Sequence, residues 1–190
     1  MGNQQTKSEV RPHRISINSV IYHRRQNSRQ LNKYLTTRQI QLIQDSWKLI
    51  KKDLTFVGTA TFKHFFETDQ ELKTFFPKII RISEKNELEW DVDNDMLQRH
   101  GITVMRGLEA AVESLDDSQF LNNILFRIGQ AHVYKNIKPH MLKRLWPSLN
   151  RSFKEVLKDR YNKDIAEAWR LTYQYICSQM KNGMENSSSQ

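Results

Sequence analysis

The sequence has little of the material that common enzyme motifs require. Its 190 residues include one cysteine, six glycines and four prolines. A single cysteine cannot form an intramolecular disulfide, which is typical of a reducing compartment. The glycines form neither G-x-x-x-x-G-K-[ST] nor G-x-G-x-x-G, and G-x-S-x-G is also missing. These absences disfavour nucleotide-dependent and hydrolytic enzymes.

Long apolar runs are also missing. No stretch of about eighteen apolar residues occurs, so the sequence predicts no transmembrane helix. The polar, basic start lacks the apolar segment of a signal peptide, and we therefore expect a cytosolic protein. Because glycine and proline are scarce while Leu, Lys, Arg, Gln and Glu are plentiful, the composition favours a single all-α domain.

The positive charge is concentrated at the start of the chain. The formal net charge is +9, and residues 1–35 hold seven basic residues against one acid. We expect a disordered basic tail at 1–34, a folded domain at 35–183 and a short disordered tail at 184–190. The basic character is therefore mainly a property of the tail.

The first residues fit a lipidation signal. Met1-Gly2-Asn3-Gln4-Gln5-Thr6 matches M-G-x-x-x-[ST], which predicts myristoylation of Gly2. One myristoyl chain binds membranes weakly, and the basic tail would add attraction to an anionic inner leaflet. This predicts a protein on the cytoplasmic face of the plasma membrane, with a cytosolic pool. Binding of nucleic acid by the tail is the less favoured interpretation.

Several helices are predicted by their ends and by their period. Thr36 with Gln39 forms a capping-box pattern at the start of a first helix, and a second is expected at 54–68. We expect a long irregular connection at 78–93. The run that begins at Pro139 should be kinked by Pro147.

Two histidines stand on the apolar faces of consecutive predicted helices. His100 lies on the stripe of one helix and His132 on that of the next. The apolar positions are Leu97, Val104, Leu108, Ala111 and Leu115 in the first, and Leu121, Leu125 and Ile128 in the second. A buried imidazole is unfavourable unless its nitrogens have partners, and a metal ion is one such partner. A core histidine with an ordinary hydrogen bond is the alternative, and spacing alone does not decide between them.

Together these positions resemble the pattern of the globin family. The residues that carry the resemblance are Trp47, Phe75-Phe76-Pro77, His100 with Val104, His132, and Trp169 with Tyr173. The match covers about 35–183 and is most similar to the neuroglobin and globin X branch. It implies about eight helices around one haem b, with His132 as proximal and His100 as distal iron ligand. The implied pocket wall is Phe62, Phe76, Val104, Ile128, Ile137, Leu142 and Tyr173.

The resemblance also implies a function. The haem iron would bind O2 or another diatomic gas, and both histidines would bind the resting iron. Such a globin would act in electron transfer with a redox partner protein, or in gas sensing and signalling, and not as an enzyme by itself. Nitrite reduction or nitric oxide dioxygenation would need a partner reductase. Two alternatives stay open, a five-coordinate globin that stores or transports O2 and a haem-free basic helical adaptor.

Overall fold

The computed structural model of the protein describes residues 34–83 and 86–187. Most of these residues are helical, and the predicted all-α class is confirmed. The α-helices are α1 Thr37–Ile50, α2 Leu54–Thr68, α3 Asn94–Glu113, α4 Ser118–Val133, α5 Pro139–Leu142, α6 Trp146–Leu157 and α7 Lys163–Ser187. Short 3-10 helices lie between them at Lys51–Asp53, Glu71–Phe75, Lys143–Leu145 and Lys158–Arg160.

Side-chain caps determine where four of the helices begin. At α1 the backbone N–H of Gln39 donates to Thr36 Oγ1 at 3.2 Å, and the Thr36 N–H donates to Gln39 Oε1 at 2.8 Å, which confirms the predicted capping box. Asp53, Asp93 and Asp117 accept from backbone N–H groups at the starts of α2, α3 and α4. These caps satisfy donors that have no partner inside the helix.

A β-hairpin leads into α3. Strand β1, Ile80–Ser83, pairs antiparallel with β2, Asn86–Val92. It replaces the irregular connection that the sequence analysis expected at 78–93. Apolar residues alternate with polar ones along both strands, which is the period of a strand. The Asp93 N–H donates to the Ile79 carbonyl at 2.7 Å, so the hairpin ends at the cap of α3.

The run that follows α4 is divided into separate helices. α5 ends at Leu142, a 3-10 helix follows, and α6 begins at Trp146. Pro147 therefore lies in the first turn of α6, where a helix does not need its N–H. The proline begins a new helix, and the expected kink inside a continuous helix does not occur.

Two hydrophobic clusters fill the interior. The larger one joins α1, α6 and α7 through Trp47, Phe153 and Trp169. The ring centroid of Trp169 lies 4.7 Å from that of Phe153 and 5.8 Å from that of Trp47. The smaller one is rich in phenylalanine and lies between α2, the hairpin and α3. Its buried members are Phe62, Phe65, Phe66, Leu72, Ile79, Ile80 and Leu97. Val104 and Leu145 pack against both clusters and mark the boundary between them.

Two helix crossings bring backbones into direct contact near the histidines. A Cβ on Gly101 of α3 would lie 2.6 Å from the carbonyl carbon of Gly58 in α2. A Cβ on Gly129 of α4 would lie 2.0 Å from a carbonyl oxygen of α7. Only glycine fits such close approaches. The first crossing adjoins His100, and the second lies one helical turn before His132, so both histidines sit on tightly packed helices.

The last helix continues beyond the expected end of the domain. α7 runs past Gly183 to Ser187, and Met184 is buried in the larger cluster. The expected tail at 1–34 lies almost wholly outside the described residues, and Gly2 with it. Within 34–83 and 86–187, no helix combines the length and apolar character needed to cross a membrane.

Candidate functional site

The structure brings His100 and His132 together from α3 and α4. Both imidazoles are half-buried. Burial lowers the pKa of His100 below its ordinary value, and the charge of His132 nearby lowers it further. The neutral imidazole, which keeps one nitrogen lone pair, is therefore the favoured form of His100.

A hydrogen bond fixes the orientation of His132. Its Nδ1 lies 2.8 Å from the carbonyl oxygen of Ile128, one turn earlier in α4. A carbonyl can only accept, so the proton is on Nδ1. The Nε2 of a neutral ring then carries the lone pair. This is the arrangement of a histidine that binds a metal ion through Nε2.

Two phenylalanines surround His100. The ring centroid of His100 lies 4.6 Å from that of Phe62 in α2 and 5.4 Å from that of Phe76, which follows the 3-10 helix Glu71–Phe75. Phe62 and Phe76 also contact each other, with centroids 5.9 Å apart. All three pairs meet edge to face, a favourable geometry for aromatic rings. They make an apolar wall that would exclude water from one side of the site.

The other predicted wall residues belong to the larger cluster. Ile128 and Ile137 pack against it while staying partly exposed, and Leu142 and Tyr173 are buried in it. The Tyr173 hydroxyl donates to the Leu142 carbonyl at 2.7 Å, and burial raises the pKa of Tyr173 well above its usual value. That hydroxyl therefore stays protonated, and its proton is donated to the Leu142 carbonyl. Val104 joins this wall to the aromatic one.

The site also contains residues that the sequence analysis did not single out. Met141 and Leu145 are partly buried and pack against the smaller aromatic cluster. Trp146 stacks on Tyr173, with ring centroids 5.6 Å apart. The helical spacing of Met141 and Leu145 is a signal that could have identified them. Arg144, which binds Asp69 and Glu71, had no local signal because its partners lie far away in the sequence.

The remaining histidines of the folded part are used elsewhere or exposed. His64 Nε2 lies 3.0 Å from a carboxylate oxygen of Glu155 on α6. His140 is exposed at the start of α5. Across the described part of the chain, no three His, Cys, Asp or Glu side chains gather into a metal site. His100 and His132 could therefore supply only two ligands to a metal.

The donor set fits a flat cofactor that carries its own metal. His100 and His132 would hold the iron of a haem, whose remaining ligands would come from the porphyrin itself. The aromatic wall and the partly exposed apolar side chains suit the faces of such a ring. Fold and site together thus define a class, an all-α protein with the features of a haem site.

Comparison with known proteins gives the family. The Globin family model matches residues 59–180, and the chain belongs to the globin family. It is 26% identical over 148 residues to Cytoglobin-1 of Oryzias latipes, covering 77% of this chain and 82% of that protein. It is 26% identical over 149 residues to Neuroglobin of Tetraodon nigroviridis, covering 78% and 92%.

A solved structure has the same fold. It is described as a hexacoordinated heme protein from an anhydrobiotic tardigrade, and it matches with a TM-score of 0.69 and 18% identity over 80% of this chain and 96% of that one. Globins bind haem and, through it, O2 and other diatomic gases. The expected globin family is confirmed, and the similar proteins include both cytoglobin and neuroglobin.

Proposed function

We propose that the protein binds haem b with His132 as the proximal ligand and His100 as the sixth ligand of the resting iron. The observation that carries this proposal is the hydrogen bond from His132 Nδ1 to the Ile128 carbonyl at 2.8 Å, which leaves Nε2 as the ligand atom. The neutral His100 beside it supports a second axial bond. We assign the pocket wall to Phe62, Phe76, Val104, Ile128, Ile137, Leu142 and Tyr173.

Two coordinated histidines favour redox or signalling work over storage. Bound haem supplies an iron that can exchange an electron or bind a diatomic gas. If His100 held the iron, a gas would have to displace it, and the apparent gas affinity would scale with the fraction of molecules in which His100 is off the iron. Electron exchange needs no such movement, because both imidazoles stay in place. We therefore infer a function in electron transfer or in O2 or nitric oxide signalling.

The surface next to His132 supports a negatively charged redox partner. The stretch 118–154, which contains His132, has no Asp or Glu. In the turn after the histidine, Lys135 and Lys138 are exposed and Tyr134 is 83% exposed. Positive charge attracts acidic proteins over a distance, and tyrosine is enriched at protein interfaces. An acidic electron carrier that docks here would lie next to the helix end that carries His132, the proposed proximal ligand.

Attachment to the membrane is a separate part of the proposal and is supported by sequence alone. Gly2 lies in a myristoylation signal, and the basic tail would reinforce one fatty acid at an anionic leaflet. The haem would then lie at the cytoplasmic face of the plasma membrane. Gly2→Ala should move the protein in cells from the membrane fraction to the soluble fraction. Unchanged fractionation would contradict this part.

The visible absorption spectrum of the reduced protein tests the haem proposal. Two axial histidines should give sharp, split bands, and His100→Leu should turn them into one broad band. His140→Leu, which removes an exposed histidine, is the matched control and should leave the spectrum unchanged. A broad band in the unmodified protein would indicate an open sixth position and a globin for O2 storage or transport. A protein that takes up no haem would favour the helical adaptor.

A further inference from the structure

Arg144 ties together two segments that lie 75 residues apart in the sequence. Its Nε and Nη2 each donate to a carboxylate oxygen of Asp69 at 2.5 Å. Nη2 also donates to Glu71 Oε2 at 2.9 Å. Bidentate bonds between a guanidinium and a carboxylate are strong and directional. We call Arg144, Asp69 and Glu71 the Arg144 clasp.

The carboxylate end of the clasp lies on the segment that places Phe76. Asp69 follows the last residue of α2, and its N–H donates to the Phe65 carbonyl at 2.8 Å. Glu71 begins the 3-10 helix that runs to Phe75. Phe76 comes next and contacts the ring of His100. Movement of this segment would therefore move the aromatic wall of the distal ligand.

The guanidinium end lies on the segment that follows His132. Arg144 belongs to the 3-10 helix Lys143–Leu145. Leu145 packs against both hydrophobic clusters. The carbonyl of Leu142, just before this helix, accepts the Tyr173 hydroxyl. The clasp thus spans the boundary between the two clusters, where the candidate haem site lies.

The carboxylate of Asp69 depends on this partner. Its side chain is only 12% exposed, against 32% for Arg144 and 72% for Glu71. A largely buried carboxylate is strongly destabilised when its guanidinium is removed, because water cannot replace the lost bonds fully. The bond to exposed Glu71 is screened by water and contributes less. The bond between Asp69 and Arg144 therefore contributes most of the strength of the clasp.

We propose that Arg144 is a positioning residue whose clasp holds the Phe76 segment against the segment after His132, and so limits both haem escape and displacement of His100. The proposal rests on the haem site proposed above. When the clasp opens, the Phe76 segment is released, and a larger fraction of molecules has His100 off the iron. Apparent gas affinity then rises in proportion to that fraction.

The test uses the full chain loaded with haem and the variant Arg144→Met. The rate of haem loss to an excess of a haem-free acceptor protein should rise about tenfold or more, as expected for losing a charge-assisted pair. The dissociation constant for carbon monoxide should fall, because the gas competes with His100. A merely structural role would lower stability against urea and leave carbon monoxide affinity unchanged. Arg144→Lys keeps the charge without the bidentate geometry, so its rate of haem loss and its dissociation constant for carbon monoxide should lie between those of the unmodified protein and Arg144→Met.

Arg151→Met is the matched control. Arg151 on α6 pairs with Glu155 at 3.3 Å and Glu67 at 3.9 Å and is 57% exposed, so it makes a similar ion pair without spanning the site. Its haem loss should stay within about twofold of the unmodified protein. If Arg144→Met does not fold, the same two measurements are made on Asp69→Asn, which should also lose haem faster and bind carbon monoxide more tightly.

Besides unchanged carbon monoxide affinity, two results would count against the clasp. Rates of haem loss within twofold of the unmodified protein for Arg144→Met and Asp69→Asn would overturn it, and so would a change no larger than that of Arg151→Met. In these cases haem is bound and the proposed function stands. If the unmodified protein takes up no haem, the proposed function and the clasp fall together.

Discussion

Gly101→Ala should force α2 and α3 apart beside His100. A Cβ at this position would lie 2.6 Å, 2.8 Å and 3.0 Å from the carbonyl carbon, carbonyl oxygen and Cα of Gly58, whereas ordinary contacts begin at 3.4 Å. All three neighbours are backbone atoms, so no side-chain rotation can relieve the overlap. The helices must separate by several tenths of an ångström to about 1 Å.

The expected loss of stability follows from two opposing effects. Overpacking of a close-packed interior costs about 1–3 kcal/mol, and a rigid backbone contact belongs near the upper end. Alanine recovers about 1 kcal/mol relative to glycine inside a helix. We therefore expect the free energy of unfolding to fall by about 2 kcal/mol. Because the Phe62 and His100 rings face each other across this crossing at 4.6 Å, their contact should also loosen.

Gly107→Ala is the matched control on the same helix. No atom lies within 4 Å of a Cβ built at Gly107, so the substitution should gain about 1 kcal/mol from helix propensity alone. Urea unfolding of the haem-free protein measures both free energies, and the absorption spectrum of the haem-loaded protein reports the coordination of His100. A Gly101→Ala protein as stable as Gly107→Ala would refute the close crossing.

Three further changes test other parts of the molecule. Ser46→Ala should cost about 1–3 kcal/mol in urea unfolding, because it leaves the buried Trp169 Nε1, now bonded to Ser46 Oγ at 2.9 Å, without an acceptor. Burial raises the pKa of the Cys177 thiol to about 11, so alkylation of the folded protein should stay slow at pH 9 and become fast on unfolding; rapid alkylation of the folded protein would contradict its burial. Lys135→Glu with Lys138→Glu should slow electron exchange with the anionic oxidant ferricyanide and reduce its dependence on salt; an unchanged rate would place the docking surface elsewhere.

Much of the fold follows from local signals in the sequence. The capping box at Thr36 and Gln39 marks the start of α1, and the helical period places His100 and His132 on apolar faces. These features can be predicted because each depends on residues within one or two turns of one another. These predictions do not require knowledge of which helices pack against one another.

The features that differ or were missed depend on contacts distant in sequence or on competing local rules. Nothing near Arg144 indicates that its partner is Asp69, 75 residues earlier. Pro147 is compatible with either a kink or a new helix, and the 3-10 helix before it decides for the second. In the hairpin, charged residues between the apolar ones resemble a solvated loop as much as a strand with one polar face.

The two histidines are held in different ways, and this difference supports the roles that we propose for them. His132 is oriented by a hydrogen bond from Nδ1 to a carbonyl of its own helix, so this bond does not depend on contacts with other helices. His100 is oriented by edge-to-face contacts with Phe62 and Phe76, each contributing about 0.5–1.5 kcal/mol. The contact with Phe76 depends in turn on a short segment that the Arg144 clasp holds in place. If both histidines bind the iron as proposed, an external gas should displace His100, and weakening the Phe76 segment should make this displacement more frequent while His132 stays bound.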